Sequence, residues 1–413
     1  MSALTDNQTV VIVGAGQAGG ETAIELRKLG FKGRVVIVGE EPHLPYRRPP
    51  LSKAYLAGEV EAASLYLMQP AQLEKAGIEF IGNTRVTRIN RAMETLTLDH
   101  DRTLAYDKLM LATGGHARAL TLPGADRANV FLLRSIADVE ALRARCTAGR
   151  RAVIIGGGFI GLEVAAVLRK HALQVTVLEG LPRVLARVTV PEVSAFFERV
   201  HREAGVDLRT GVKIAALEGE PEINAVRLED GTRIAADFIV VGIGLNANTE
   251  LAADAGLAVD NGIVVDEYAR TADENIYAAG DCTNHPSEFL GRRVRLESVQ
   301  NAMEQARAAA RAMMGRPEPY RMVPWFWSDQ YDLKLQMVGM SAGHDQMVLR
   351  GDPATARAFA AFYLRDGKLI AADAVNHPVD FMFAKKLVAA RVNVDPAQLA
   401  DAALPLKSLL PAA

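Results

Sequence analysis

Cysteine is nearly absent: the 413 residues contain two, Cys146 and Cys282. They lie far apart and form neither a CxxC pair nor a metal-ligand cluster. This excludes a disulfide scaffold and a thiolate metal centre, and reduced thiols are expected. Aromatics make up 6% of the chain, with only two tryptophans. No sign of charge dominates: 47 Lys and Arg face 49 Asp and Glu, a net charge of -2. That removes any global attraction to nucleic acid or to a membrane surface. No apolar run of roughly 18 residues is free of charge, so no membrane span is expected. The start, MSALTDNQT, lacks the basic and apolar regions of a signal peptide, and the expected location is the cytoplasm. Hydrophobic residues supply 49% of the chain and glycine 34 positions, enough for two or three domains.

The first informative stretch is TVVIVGAGQAG, residues 9–19. A β-branched run ends in Gly14, Gly16 and Gly19 at GxGxxG spacing. A helical pattern and a second strand, RVVIVGEE, follow. Such a parallel unit binds a dinucleotide: one glycine makes the turn, one admits the pyrophosphate, one lets helix and strand pack. The helix N-terminus offers free N–H groups to phosphate. Glu40 ends the second strand, where a carboxylate binds ribose hydroxyls. A lone fingerprint is weak, but this unit recurs. RRAVIIGGGFIG, residues 150–161, carries Gly156, Gly158 and Gly161, and Glu179 takes the place of Glu40. Two dinucleotide sites in one chain imply a donor and an acceptor.

Two further motifs favour flavin at the first site. YDKLMLATGG ends a strand in Thr113 and Gly114, and TADENIYAAGD ends one in Gly280 and Asp281 before a helix-favouring stretch. An Asp there can bond ribityl hydroxyls, and a helix N-terminus stabilises negative charge on a reduced flavin. At the second site Glu179 accepts from a free 2′-hydroxyl and repels a 2′-phosphate, which favours NADH. Arg183 is the one nearby cation that could hold a phosphate.

The layout resembles the two-dinucleotide-binding-domain flavoproteins over nearly the whole chain. LPYRRPPLSKAYL (44–56), RLESVQNAMEQAR (295–307), VPWFWSDQYDLKL (323–335) and AVNHPVDF (374–381) narrow the resemblance. They resemble the NADH-dependent ferredoxin reductases of bacterial oxygenase systems, the putidaredoxin reductase and biphenyl dioxygenase reductase group. The implied fold is α/β, with two Rossmann-like dinucleotide-binding domains and a small C-terminal α/β domain. The implied boundaries are 1–114 with 246–320 for FAD, 115–245 for NAD, and 321–413 for the domain covering the flavin. One departure is Ala247, where many relatives carry proline.

The resemblance implies FAD contacts at Gly14, Gly16, Ala18, Gly19, Glu40, Arg47, Arg48, Lys53, Thr113, Gly114, Arg134, Asp281, Glu297, Ser298, Val299 and Trp327. Only one of Arg47 and Arg48 need face the cofactor. One of Trp325 and Trp327 is expected near the flavin, and the other in packing. NAD contacts are implied at Gly156, Gly158, Gly161, Glu163, Glu179 and Gly244. Lys53 beside the flavin, paired with Glu163, is the implied catalytic pair. A cation there favours hydride arrival. The histidines form no obvious cluster, and hydride transfer needs no general base.

Electrons leave the flavin directly, since no cysteine pair exists to relay them. The implied acceptor is a [2Fe–2S] ferredoxin serving a cytochrome P450 or a ring-hydroxylating dioxygenase. Such ferredoxins are acidic, and Arg307, Arg311, Lys385 and Lys386 are the candidate docking residues. A monomer without metal is expected. Rubredoxin reductase, NADH oxidase and a flavoprotein resembling apoptosis-inducing factor are the alternatives on the same scaffold.

Overall fold

A computed structural model describes residues 4–411, which divide into two compact units. The first comprises residues 4–48, 61–116 and 246–324. Its centre is a five-stranded parallel sheet ordered Ile276–Ala278, Lys108–Leu111, Thr9–Val13, Arg34–Val38, Ile78–Ile81. Val10, Val11 and Ile12 are completely buried, as a parallel strand covered on both faces requires. Strand order reverses at Thr9–Val13, the switch point where ligands bind in such sheets. One face is covered by the helices Gln17–Lys28 and Val299–Met313. Ala18, Ala23, Ala302, Ala306 and Ala309 let them approach closely in one core. An antiparallel meander, Val86–Asn90, Thr95–Leu98 and Thr103–Ala105, contributes to the other core.

The second unit comprises residues 49–60, 117–245 and 325–411. It repeats the parallel sheet as Asp207–Arg209, Gln174–Leu178, Arg151–Ile155, Phe238–Val241, Val130–Leu132. It also holds an antiparallel five-stranded sheet: Trp325–Gln330, Leu333–Gly339, Lys368–Val375, Phe359–Arg365, Gln346–Arg350. The helix Pro378–Ala389 follows, started by proline at its first turn. Residues 49–60 fall in this unit rather than with the rest of 1–114. The cause is local: Lys53 bonds Glu163, Tyr55 bonds Glu140, and Glu59 pairs with Lys170.

One buried carboxylate of this unit sets a pH dependence. Asp373, 2% exposed, accepts at Oδ2 from Thr189 Oγ1 (2.7 Å) and Tyr363 Oη (2.6 Å). Burial pushes its carboxyl up to about 6, against the pull of both hydroxyls. The folded state therefore holds this proton more tightly than the unfolded chain does. Its contribution to stability is complete below pH of about 4, the unfolded value, and is lost as pH rises through about 6. D373N lacks the titration. Relative to wild type it should gain about 2 kcal/mol between pH 4.5 and 7.5, because part of the roughly two-unit shift, at ~1.4 kcal/mol per unit, is already expressed below pH 4.5. Urea melts at both pH values check this, and a pH-independent difference would rule it out.

Candidate functional site

The two fingerprints build the same cradle twice. Gly14 has φ +110°, and a Cβ there would stand 2.1 Å from Ala112 O. Gly156 has φ +113°, with Gly242 O at 2.4 Å. Both turns admit only glycine. Gly19 and Gly161 each press on the turn glycine's carbonyl, at 2.0 Å from a built Cβ. Gly16 and Gly158 differ from these: each has ordinary backbone angles and nothing within 4 Å of its Cβ position. They are the N-caps of the helices Gln17–Lys28 and Phe159–Lys170. Neither helix has a side-chain cap or an acidic residue in its first turn. Uncapped N–H groups facing open space, with no carboxylate to repel an anion, fit a diphosphate at each cradle.

Register corrects one expectation. Val13 pairs Val38, and Ile155 pairs Leu178, so Gly39 is the counterpart of Glu179 and Glu40 lies one residue further on. Bulk at Gly39 is refused because a Cβ would meet Ala15 Cβ at 2.7 Å. Glu40 is 68% exposed and pairs with Arg85. Glu179 is held firmly: Oε2 accepts from Gly157 N (2.6 Å) and Oε1 from Leu181 N (2.7 Å). Arg183 donates to Ala186 O in its own loop and to Ser194 Oγ on the following helix Pro191–Glu203.

In the first unit Arg47 is exposed, whereas Arg48 pairs with Glu41 (2.8 Å) and stacks on the Tyr46 ring. Burial pulls the Arg48 guanidinium down, and Tyr46, Glu41 and Asp281 more than restore it. Arg48 is thus within electrostatic reach of Asp281. Thr113 and Gly114 are clamped by Asn248: Thr113 Oγ1 donates to Asn248 O (2.7 Å), and Asn248 N donates to Gly114 O (3.0 Å). Asn248 lies next to the departing Ala247, and sequence reasoning passed over it. Ser298 caps the helix Val299–Met313, accepting from Asn301 N. Glu297 pairs with Arg295, which also donates to Asp281 O. Ala18 is buried under its helix, and its carbonyl accepts from Thr22 Oγ1. Cys282 is fully buried and burial raises its thiol. Cys146, also free, is pushed up to about 11 by burial. Neither thiol is poised to carry electrons.

In the second unit Glu163, 2% exposed, sits on the fingerprint helix. Lys53 Nζ (2.7 Å) and Ser52 Oγ (2.5 Å) donate to its Oε2, and Ser328 Oγ (2.6 Å) to its Oε1. Burial raises the Glu163 carboxyl, and these three partners oppose the rise. The two serines carried no sequence signal beyond their position in PPLSK and WFWSDQ. Arg134 precedes the cap of the helix Ile136–Arg143, with its backbone N–H on Asp138. Gly244, at φ +119°, is exposed with open space around it. Trp325 and Trp327 lie 5.5 Å apart; Trp325 also meets Phe381 and has Lys385 Nζ above its ring at 4.7 Å.

The candidate docking cations are unequal. Arg307 pairs with Glu21 and Glu304, and Arg311 with Glu25 and Glu318, so their charge is largely spent inside the first unit. Lys385 lies over the rings of Trp325 and Phe381 and Lys386 over that of Phe383, and among the described residues neither pairs with a carboxylate. Among the described residues no group of three or more His, Cys, Asp or Glu could hold a metal. No described helix is long and apolar enough to cross a membrane.

Residues 8–306 match the family described as pyridine nucleotide-disulphide oxidoreductase, and residues 325–410 match a reductase C-terminal domain. The chain belongs to the pyridine nucleotide-disulphide oxidoreductases. Within this family it is 47% identical to putidaredoxin reductase of Pseudomonas putida, over 98% of each chain. Among solved structures it is similar to the reductase in the covalent putidaredoxin reductase–putidaredoxin complex, with TM-score 0.95, 46% identity and 98% of each chain covered. It is equally similar in fold to the ferredoxin reductase for the CYP199A2 system of Rhodopseudomonas palustris, with TM-score 0.95, 42% identity, and 98% of this chain and 100% of that one covered.

Proposed function

We propose that the chain is an FAD-dependent NADH:ferredoxin reductase, passing electrons to a [2Fe–2S] ferredoxin that serves a cytochrome P450 or a ring-hydroxylating dioxygenase. The single observation that carries this reading is the placement of Lys53. This ammonium comes from the loop after the first cradle and is fixed on a buried carboxylate four residues beyond the helix start of the second. Relatives named as ferredoxin reductases over nearly the full chain support the same acceptor.

Bound FAD supplies a two-electron acceptor able to return its electrons one at a time. The chain's own residues do the rest. The open N-terminus at Gly16 would hold the FAD pyrophosphate, and Arg48, Asp281 and the Thr113–Gly114 turn fixed by Asn248 would supply further contacts. The N-terminus of Val299–Met313 would stabilise negative charge on a reduced flavin. Gly158 and its helix hold the NADH pyrophosphate, and Glu179 accepts from the adenine-side ribose. A cation at Lys53 would favour hydride arrival, and Glu163 holds the ammonium in place. Burial of Glu163, Ser52 and Ser328 keeps water from the carboxylate of that pair. Lys385 and Lys386 face the acidic ferredoxin. Arg307 and Arg311 contribute less, because neighbouring carboxylates already pair them.

NADH added anaerobically to the FAD-loaded protein should bleach the flavin band, and a ferredoxin should reoxidise it. Raising salt from about 50 to 500 mM should slow ferredoxin reduction roughly tenfold while leaving ferricyanide reduction nearly unchanged, since only the first depends on charge steering. An equal loss of both activities would remove the docking reading.

A further inference from the structure

The strand Trp325–Gln330 alternates its side chains, and one face runs along the nucleotide-binding helices. Phe326 packs on Phe159 with ring centroids 4.6 Å apart, Ser328 meets Glu163, and Gln330 meets His201 on the helix Pro191–Glu203. The period-two spacing of 326, 328 and 330 thus matches Phe159 and Glu163, one helical turn apart, and then the next helix. Ser328, Gln330 and His201 are at most 1% exposed. Interior polar groups of this kind persist only when every one is satisfied.

The satisfaction here has a direction. Gln330 Nε2 donates to Ser328 Oγ (3.1 Å), which leaves the single hydroxyl proton of Ser328 for Glu163 Oε1. Gln330 Oε1 can only accept, so His201 Nε2 carries the proton between them (2.9 Å). The other ring nitrogen, Nδ1, then accepts from Tyr331 Oη (3.1 Å). Burial lowers His201 to about 4, so the ring is neutral and this tautomer is fixed. Every proton in the row Tyr331, His201, Gln330, Ser328 points toward one carboxylate oxygen. Reversing any link would leave two donors or two acceptors face to face in the interior.

We propose that Ser328, Gln330 and His201 are positioning residues for the Lys53–Glu163 pair: a one-way row of donors holds Glu163 as an anion by its Oε1 and leaves Oε2 aimed at Lys53. The row's role in hydride transfer rests on the reading of Lys53 given above; its effect on Glu163 does not. Burial alone drives Glu163 toward its neutral form, which would release Lys53. The charged and titratable groups facing Glu163 are Lys53 directly and His201 through Gln330, alongside the neutral hydroxyls of Ser52 and Ser328. The C-terminal strand thereby sets the charge state of a carboxylate on the NAD-binding helix.

The test is S328A, with S328T as the conservative rescue and E163Q to assign the signal. The FAD-loaded protein, without NADH, is titrated by infrared spectroscopy, following the protonated-carboxyl stretch that E163Q abolishes. In S328A that band should persist to a pH about one unit higher than in wild type, the equivalent of one lost charge-assisted hydrogen bond. The acid limb of flavin reduction by NADH should move up by the same amount, with NADH affinity unchanged. S328T should restore both. If S328A does not fold, Q330M, which removes the donor behind Ser328, should move the band in the same direction. An unmoved midpoint in whichever variant folds overturns the proposal. If the band shifts in S328A as expected, yet NADH does not reduce the flavin of the wild-type protein, the row stands and the reductase reading falls instead.

Discussion

G16V should abolish tight FAD binding while leaving the apoprotein as stable as wild type. The backbone at Gly16, φ -94° and ψ -164°, is one that valine adopts freely, and no atom stands within 4 Å of the new Cβ. The open space is where a diphosphate must approach the uncapped helix N-terminus. A side chain there blocks the approach and leaves N–H groups without their anion. FAD affinity should fall at least about a hundredfold, on the order of 3 kcal/mol. G14A is the contrasting control, because its Cβ would collide with Ala112 O at φ +110°, and it should lose thermal stability even without cofactor. Valine at Gly158 should instead spare FAD content and weaken NADH. Calorimetric FAD titration of the apoprotein, with melts of both variants, decides the matter. A G16V protein that binds FAD normally would place the cofactor elsewhere.

E179A should reduce the preference for NADH over NADPH by roughly thirtyfold, about 2 kcal/mol. The carboxylate cannot swing away from a 2′-phosphate, because Gly157 N and Leu181 N pin both oxygens. Nor does the loop offer a compensating cation, since Arg183 is committed to Ser194 and Ala186. E179A removes the repulsion without supplying a phosphate partner. NADPH should therefore improve without overtaking NADH, and a cation such as L181R should be needed for reversal. Ratios of kcat/KM for the two nucleotides check both statements. Unchanged selectivity in E179A would mean that the ribose lies away from this strand end.

The doubled GxGxxG, the β-branched runs before each, and the alanine-rich helix at 299–313 were legible because they are local. Glycine turns, strand composition and helical period write themselves into consecutive residues. The same locality misled at Glu40 and Glu179. They look equivalent in a string, but pairing register offsets them by one residue. Arg307 and Arg311 likewise read as a free basic stripe until α-helical neighbours Glu21 and Glu25, nearly 290 positions away, were seen to pair with them.

The sequence alone determined that this chain carries two parallel nucleotide-binding units and lacks a cysteine pair for a thiol relay, since both follow from residue type and short spacing; the Lys53–Glu163 pair came only from the family resemblance. Only tertiary structure could decide that Arg48 rather than Arg47 joins Asp281's field, that Asn248 clamps Thr113, and that Glu163 gathers donors from residues 52, 53 and 328. Those contacts join positions more than 100 residues apart, and the burial that gives them their strength does not exist until the strands and helices have packed.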